Sequence, residues 1–228
     1  MQVIYEDNHI IIVNKAPGEI VQGDRTGDTP LSQIVAGWIK EKYAKPGNVF
    51  IGVVHRLDRP VGGLVVFAKT SKALSRLNEM FRNGDVHKTY WAISRNSPPE
   101  QAETLTHYLV SVERNNKTYV SDSSDSKAKE ARLTYRQIAS SERYYLLEVN
   151  LLTGRKHQIR AQLSAIGCPI KGDLKYGDKR SNPNGSISLI ARRIRFTHPV
   201  SGKEIDITAP VPDDNLWRAL EQNTNRQE

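Results

Sequence analysis

A short charged loop between two apolar runs contains residue types that can do chemistry. The runs are residues 50–54 and 64–68, each of strand length and rich in β-branched side chains. Between them lie four charged or titratable residues and a glycine pair: His55, Arg56, Asp58, Arg59, Gly62 and Gly63. Charged residues rarely separate two core strands unless they are paired or used. The surrounding positive charge keeps Asp58 ionised, which suits a structural bridge to an arginine or work as a nucleophile or general base.

A second candidate is a tyrosine in a predicted strand. Residues 86–93 alternate in the manner of a strand and include Lys88 and Tyr90. A tyrosine in a strand is ordinarily half-buried packing, and the residues alone leave that alternative open.

A third candidate is a basic segment at residues 153–167, which we interpret as a helix that starts after Gly154 and ends at Gly167. An apolar stripe runs along it, and Arg160 is adjacent to that stripe, so its guanidinium can point into a cleft. Arg155, His157 and Gln158 are predicted in the first turn, where backbone N–H groups also attract phosphate. A basic helix with a solvated face is the alternative.

Composition indicates a polyanionic partner. The 228 residues include 33 Lys and Arg against 25 Asp and Glu, a net charge of +8. The single cysteine, Cys168, excludes an internal disulfide and a multi-cysteine zinc site, and its apolar neighbours predict a buried structural thiol. The sequence has neither a signal-peptide pattern nor an apolar run of membrane-spanning length. We therefore expect a cytoplasmic protein without membrane contact.

Further elements are predicted from periodicity and turn signals. Strands are expected at residues 3–5, 10–13, 118–120, 132–138, 144–152 and 204–208, and the resemblance described below implies a further strand at 188–199. Helices are expected after Thr29 as N-cap, from Thr70 or Ser71 to a stop at Asn83-Gly84, and from about residue 213. The rest of 94–129 is predicted as a loop excursion within one domain.

Several motifs in this order resemble those of the RluA family of RNA pseudouridine synthases. They are Lys-x-x-Gly at 15–18, His-Arg-Leu-Asp at 55–58, Lys-x-Tyr at 88–90, Thr-Gly-Arg-x-His-Gln-Ile-Arg at 153–160, Gly-Asp at 172–173 and Tyr-Gly at 176–177. The resemblance covers roughly residues 3–210. Family members usually carry Thr-Ser where this chain has Val61-Gly62, a departure that affects loop rigidity and hydroxyl hydrogen bonds but leaves Asp58 untouched.

The resemblance implies an α+β fold with a long, mixed, mostly antiparallel, bent sheet, flanked by helices and crossed by an active-site cleft. We expect a single catalytic domain over residues 1–228, with its core at about 3–210 and a terminal helix and polar tail at 211–228. The S4-type RNA-binding domain of many relatives is absent from this sequence, so specificity is expected in the loops of the catalytic domain. We expect a monomer.

The resemblance also implies isomerisation of specific uridines in structured RNA to pseudouridine, with no metal or other cofactor. Asp58 is the implied catalytic carboxylate, and it would either attack C1′ or remove a proton from C2′. Arg160 would pair with Asp58, and Tyr90 would stack on the uracil near C5. Arg56 would fill the space that the flipped base leaves. RNA contacts are further implied for His55, Lys69, Lys88, Arg155, His157 and Gln158.

The alternatives concern substrate and class. Ribosomal RNA is the favoured substrate and transfer RNA the alternative. A catalytically silent RNA-binding protein of the same fold is disfavoured because Asp58, Tyr90 and Arg160 are all present. A metal-dependent RNA hydrolase would need clustered carboxylates, which the sequence does not show.

Overall fold

The computed structural model describes residues 1–224, which form two compact units. The first unit comprises Met1–His87 and Ala191–Ala209, and the second comprises Lys88–Ile190 and the chain from Pro210 onward. The end of the predicted polar tail, residues 225–228, lies outside the described residues. The expectation of a single domain stays a prediction.

Within residues 1–224 the structure has eleven β-strands and four α-helices, which agrees with the predicted α+β class. The strands are β1 Gln2–Glu6, β2 Ile10–Lys15, β3 Gly52–Val53, β4 Gly62–Ala68, β5 His87–Ser94, β6 Ala102–Val112, β7 Lys117–Ser121, β8 Lys129–Ser140, β9 Tyr145–Leu151, β10 Leu189–Thr197 and β11 Glu204–Thr208. The helices are α1 Leu31–Lys42, α2 Ser71–Asn83, α3 Gln158–Ala165 and α4 Asn215–Thr224. None of these helices is long and apolar enough to cross a membrane.

The first unit is built around β2 and β4, which pair antiparallel from Ile10 opposite Ala68 to Lys15 opposite Gly63. Its strand order is β1-β2-β4-β10, with β3 also paired to β4 and β11 paired to β10. All seven residues of β4 are buried, as expected of a continuous apolar run covered on both faces. Leu77 of α2 packs into the core cluster that these strands form. A rigid strand therefore follows directly after the Asp58 loop.

The ends of the two helices in this unit test the capping predictions. Thr70 is the N-cap of α2, where its Oγ1 accepts a hydrogen bond from the Ala73 N–H at 3.2 Å, and Gly84 ends that helix at φ 85°. Both predictions are confirmed. The prediction of Thr29 as the N-cap of α1 is wrong, because Pro30 occupies that position and makes no side-chain capping bond.

The second unit has the strand order β5-β9-β8-β6-β7, so β7 is its edge strand. The pairings β5–β9, β8–β9, β6–β8 and β6–β7 in this unit are antiparallel. In the first unit the pairings β1–β2, β2–β4, β3–β4 and β10–β11 are also antiparallel. Trp217 of α4 and Trp91 of β5 belong to one core cluster. Cys168 is buried, and its thiol donates to the Ser97 carbonyl at 3.4 Å, which confirms the predicted structural thiol.

Two strand predictions are wrong in part. Of residues 50–54, only Gly52–Val53 pairs as a strand, and Phe50 is 49% exposed. Residues 102–112, predicted as loop, form the long strand β6, which pairs with both β7 and β8. In β6 only Leu105 and Leu109 are buried, and polar or exposed residues make up most of the remainder, so the strand covers one apolar face and its hydrophobic signal is weak.

Candidate active site

Asp58 lies at the start of a tight turn in the first unit. Its carbonyl accepts a hydrogen bond from the Val61 N–H at 3.0 Å, so Arg59 and Pro60 form the middle of the turn. The Asp58 side chain is half-buried. The guanidinium of Arg59 forms an ion pair with Asp28 at 2.7 Å. The arginine next to Asp58 in sequence is therefore directed to a different carboxylate.

Lys15 holds this turn in place from the end of β2. Its Nζ donates to the carbonyls of Ala16, Arg59 and Val61 at 3.0, 3.2 and 2.7 Å, which uses all three ammonium donors. The residue is 1% exposed. Burial lowers the pKa of Lys15 to about 8, against the opposing effect of Glu19 and Asp58. A buried cation thus fixes the backbone on the C-terminal side of Asp58.

The sequence alone assigns no catalytic or binding role to Lys15, although the residue belongs to the Lys-x-x-Gly motif at 15–18. The sequence feature that could have indicated a role is a lysine soon after the apolar run at residues 10–13 and directly before Ala-Pro-Gly. A buried lysine needs partners, and here they are carbonyls of a turn more than 40 residues away in sequence.

His55 anchors the chain that leads into the turn. Its Nε2 accepts a hydrogen bond from the Val66 N–H of β4 at 2.9 Å, and its ring stacks on Phe81 at 4.7 Å. An accepting Nε2 places the proton of the neutral ring on Nδ1. This geometry favours a structural role, and the RNA contact of His55 stays a prediction. Arg56 is exposed, which leaves its predicted role open.

A glycine pair lets β4 begin directly after the turn. Gly63 has φ 110°, and a Cβ there would lie 2.4 Å from the Ala191 carbonyl oxygen of β10. A Cβ on Gly62 would lie 3.3 Å from the Lys15 carbonyl oxygen. Val61 is 2% exposed. Where relatives usually carry two hydroxyls, this chain therefore has a buried apolar side chain and bare backbone.

Tyr90 and Lys88 project from the same face of β5 in the second unit, because strand side chains alternate with period two. Tyr90 is 7% exposed and lies opposite Val149 of β9. Burial lowers the pKa of Lys88. Its Nζ lies 3.9 Å from the position that a Cβ on Gly154 would take, so this cation is next to the basic turn before α3.

Gln158 braces that basic turn. Its Oε1 accepts from the Thr153 hydroxyl at 2.8 Å and the Arg155 N–H at 2.9 Å, and its Nε2 donates to the Arg132 carbonyl at 3.0 Å. The amide is thus used within the protein, and its RNA contact stays a prediction that this geometry does not favour. Arg155 is exposed. The placement of Arg155 and His157 in the first helical turn is wrong, because α3 begins at Gln158 and His157 is its N-cap at φ 53°.

Arg160 is buried in α3 and forms a two-pronged ion pair with Asp173. Its Nε and Nη2 donate to the two carboxylate oxygens at 2.7 and 2.9 Å, and the residues are 5% and 1% exposed. The guanidinium also lies 4.9 Å from the ring centroid of Tyr176. Asp173 therefore compensates a buried charge that would otherwise be costly. The pairing of Arg160 with Asp58 stays a prediction.

Tyr176 connects His157 to strand β7. Its hydroxyl accepts a hydrogen bond from the Thr118 N–H at 2.8 Å and lies 2.9 Å from Nδ1 of His157. Since the Thr118 amide can only donate, the hydroxyl is free to donate its own proton to Nδ1. Burial raises the pKa of Tyr176, which keeps that proton in place. Asp173 and Tyr176 belong to motifs visible in the sequence, but no positional role follows from their spacing.

Lys69 lies in a cluster of charges away from solvent. Its Nζ forms an ion pair with Glu6 at 2.6 Å and donates to the Asp7 carbonyl. Glu6 also pairs with Lys42 at 2.6 Å, and two cations together lower the pKa of Glu6 although burial opposes this. The Lys69 side chain is 10% exposed. This geometry favours a structural role over the predicted phosphate contact.

The chain has the fold of two solved pseudouridylate synthase structures. The solved structure of human RNA pseudouridylate synthase domain containing 4 superposes with a TM-score of 0.79 at 22% identity, covering 98% of this chain and 93% of that one. That of human RNA pseudouridylate synthase domain containing 1 superposes with a TM-score of 0.72 over 96% of this chain and 86% of that one, at 21% identity. The predicted fold is confirmed.

Sequence comparison then assigns the family. The family described as RNA pseudouridylate synthase matches residues 9–165. The tRNA pseudouridine synthase C of Vibrio parahaemolyticus serotype O3:K6 is 31% identical over 96% of this chain and 93% of its own length. The ribosomal large subunit pseudouridine synthase C of Escherichia coli O157:H7 is 33% identical over 98% of this chain and 70% of its own length. The chain belongs to the RNA pseudouridylate synthase family, and it is an isomerase that acts on uridine in RNA.

Proposed function

We propose that this enzyme isomerises uridines in structured ribosomal RNA, with the carboxylate of Asp58 acting on the ribose of the target nucleotide. The observation that carries the proposal is the fixed turn at Asp58, held by the Lys15 ammonium and the Asp58–Val61 hydrogen bond. A carboxylate on a backbone that is already ordered loses little freedom when the substrate arrives.

The reaction conserves all atoms of the nucleotide. The N1–C1′ bond breaks, the uracil turns, a C5–C1′ bond forms, and the proton on C5 leaves as one returns to N1. Asp58 would either attack C1′ or remove a proton from C2′, and both routes need the ionised form. Tyr90 would stack on the uracil, and Arg160 would orient the carboxylate. The proposal includes no metal and no other cofactor.

RNA binding is assigned to cations around these residues. A base inside a helix must leave its stack to be reached, and the exposed Arg56 is proposed to occupy the vacated space. Lys88, Arg155 and His157 are proposed to hold phosphates. The expectations of a monomer and of a cytoplasmic location also belong to this proposal.

Transfer RNA is the second candidate substrate. A relative named as a tRNA pseudouridine synthase matches this chain over 93% of its own length, whereas the Escherichia coli ribosomal RNA enzyme matches over 70%. We favour ribosomal RNA because enzymes so named recur among the similar proteins.

The catalytic assignment is tested by the variant Asp58→Asn. Loss of the charge removes the nucleophile or base, so the single-turnover rate should fall by orders of magnitude, while RNA affinity should stay within a few fold. The rate is measured as tritium released from RNA labelled at C5 of uridine, with enzyme in excess.

The matched control is Asp24→Asn, which removes a carboxylate 3.6 Å from Arg59 on the same unit. It should retain turnover. Near-normal turnover by Asp58→Asn would exclude Asp58 as the catalytic carboxylate.

The substrate is tested in a strain that lacks the gene. Pseudouridine positions in its ribosomal and transfer RNA are mapped with a pseudouridine-specific chemical label and compared with the parent strain. We expect a position to disappear from large-subunit ribosomal RNA and to return when purified enzyme is added to that RNA. Disappearance from transfer RNA alone would establish the second candidate instead.

A further inference from the structure

A shallow groove in the second unit lies next to the edge strand β7. Its volume is about 330 Å³. It is lined by residues of β7, of α3 and of the segment that contains Tyr176, among them Lys117, Tyr119, Ala161, Ser164 and Ala165. The small side chains of α3 leave this space open. None of the residues to which we assign catalysis lines it.

Tyr119 presents an aromatic ring at this groove in a fixed position. The residue is 40% exposed although it belongs to a strand. Its hydroxyl accepts a hydrogen bond from the Asn115 Nδ2 at 2.6 Å. That bond ties the ring to the 3-10 turn between β6 and β7, so the ring is ordered before any ligand arrives.

Lys117 supplies positive charge at the same place. Its Nζ lies 5.1 Å from the ring centroid of Tyr119 and 5.2 Å from that of Tyr176. Within residues 1–224, no carboxylate forms an ion pair with Lys117. Its charge is therefore available to an anionic ligand, and ammonium groups of this kind bind phosphate as point charges.

The first unit also has an exposed tyrosine next to lysines, at Tyr43, but these lysines form ion pairs. Tyr43 is 50% exposed, and the ammonium groups of Lys42 and Lys69 lie 5.2 and 5.4 Å from its ring centroid. Both lysines share the carboxylate of Glu6 as an ion-pair partner, whereas Lys117 has no such partner within residues 1–224. Tyr43 therefore serves as an internal control for an exposed aromatic ring whose neighbouring lysines are held in ion pairs.

We propose that the groove binds a nucleotide of the substrate RNA outside the target uridine, with its base on Tyr119 and its phosphate at Lys117. Single-stranded RNA is bound by this combination of an aromatic face and a backbone-facing cation. An added peptide strand fits the place less well, because the outward N–H of Thr118 on edge strand β7 is already bound by the Tyr176 hydroxyl. The net charge of +8 is also that of a chain with a polyanionic substrate.

Tyr176 lies between the groove and Arg160, a proposed catalytic residue of the same unit. Its ring contributes to the groove and contacts the guanidinium of Arg160, while its hydroxyl reaches His157. A nucleotide in the groove would thus lie beside the helix that carries Arg160. The inference rests on RNA as the substrate, but it does not depend on the role of Asp58.

The test replaces the ring and measures RNA binding at fixed salt, with a transcript of large-subunit ribosomal RNA and with bulk transfer RNA as probes. Tyr119→Leu should weaken binding to the substrate RNA by about 5- to 150-fold, the range expected for one stacked base. Tyr119→Phe keeps the aromatic face and should bind within about twofold of wild type. Lys117→Gln should reduce the slope of log affinity against log salt by about 0.7 to 0.9 units.

The controls separate this inference from the catalytic proposal. Tyr43→Leu removes an equally exposed ring and should leave RNA affinity unchanged. All variants are also made in the Asp58→Asn protein, so that binding is measured without turnover. If Tyr119→Leu matches Tyr43→Leu on both RNAs, the groove is not an RNA site, whatever the fate of the Asp58 assignment. If Asp58→Asn stays active while Tyr119→Leu weakens binding, only the catalytic proposal fails.

Discussion

The arginine proposed to orient the catalytic carboxylate already has a buried partner. Arg160 and Asp173 form a two-pronged pair in which both side chains are almost fully buried. Taking two charges out of water is costly, and their mutual attraction compensates only if both remain. The effect of changing either residue therefore combines a catalytic part and a stability part, which need separate measurements.

We predict that Arg160→Ala lowers the free energy of unfolding by about 3–5 kcal/mol and the single-turnover rate by orders of magnitude. The stability loss follows because Asp173 is left buried and unpaired. Arg160→Lys keeps the charge but lacks the two-pronged geometry, so it should restore both quantities only in part. Urea unfolding gives the first quantity, and tritium release at saturating enzyme gives the second.

The paired variant Arg160→Met with Asp173→Leu is the control for coupling. It removes both charges together, so its cost should be well below the sum of the single costs. Additive costs would mean that the pair contributes no interaction energy. A normal rate at saturation in Arg160→Ala would make Arg160 an RNA contact, and Arg155 would then be the first alternative for the catalytic arginine.

At the scale of elements, β2 delivers a buried lysine whose titration links the Asp58 turn to pH. The pKa of Lys15 is lowered from 10.5 to about 8 in the folded protein. Between these values the unfolded chain binds the proton that the folded protein has lost, so stability rises with pH across this window. A shift of this size corresponds to about 3 kcal/mol.

We therefore predict a pH-dependent difference between wild type and Lys15→Met. The free energy of unfolding of wild type, relative to the variant, should increase between pH 7.5 and 10 by up to about 3 kcal/mol. Denaturant unfolding at several pH values provides the measurement. Parallel pH profiles of the two proteins would show that Lys15 is not titrating in that window.

The start of strand β4 leads to a second prediction at this scale. At Gly63 the strand lies so close to β10 that there is no space for a side chain. Gly63→Ala would place a Cβ 2.4 Å from a backbone oxygen of Ala191 at a φ of 110°, so β4 and the preceding turn must shift. We expect a loss of several kcal/mol in stability and loss of turnover. Gly84→Ala is the matched control, since it has a φ of 85° but nothing within 4 Å, and should cost about 1 kcal/mol. Equal costs for the two variants would contradict the close approach.

The elements also explain how far sequence reasoning reaches. The Asp58 loop was predictable because the apolar run after it forms the buried strand β4. Strand β6 was not, because half of its side chains face solvent and its apolar pattern is weak. The hydrogen-bond partners of Lys15 and Arg160 were not predictable from the sequence. Hydrogen bonds to turn carbonyls and to Asp173 follow from the tertiary fold, and no periodicity in the sequence encodes them.

For the whole molecule, the surplus of positive charge predicts the salt dependence of RNA binding. If Arg56, Lys88, Arg155 and Lys117 each neutralise one phosphate, the slope of log affinity against log salt should be about −3. Affinity would then fall roughly 50- to 100-fold between 50 and 200 mM salt. Arg155→Gln should reduce the slope by about one unit. Lys69→Gln should leave it nearly unchanged because the Lys69 ammonium is almost buried and bound to Glu6, and a full one-unit effect there would identify Lys69 as a phosphate contact.

The buried position of Cys168 gives the protein a chemical reporter of its own opening. Burial raises the pKa of this thiol, and it is the sole cysteine of the sequence. Alkylating reagents attack the thiolate, so the native protein should resist them. Reagent should react only in molecules whose second unit has opened around Ser97. The rate of thiol labelling under native conditions would then follow the opening of that unit, and the same unreactive background would allow a probe to be attached at a single engineered surface cysteine.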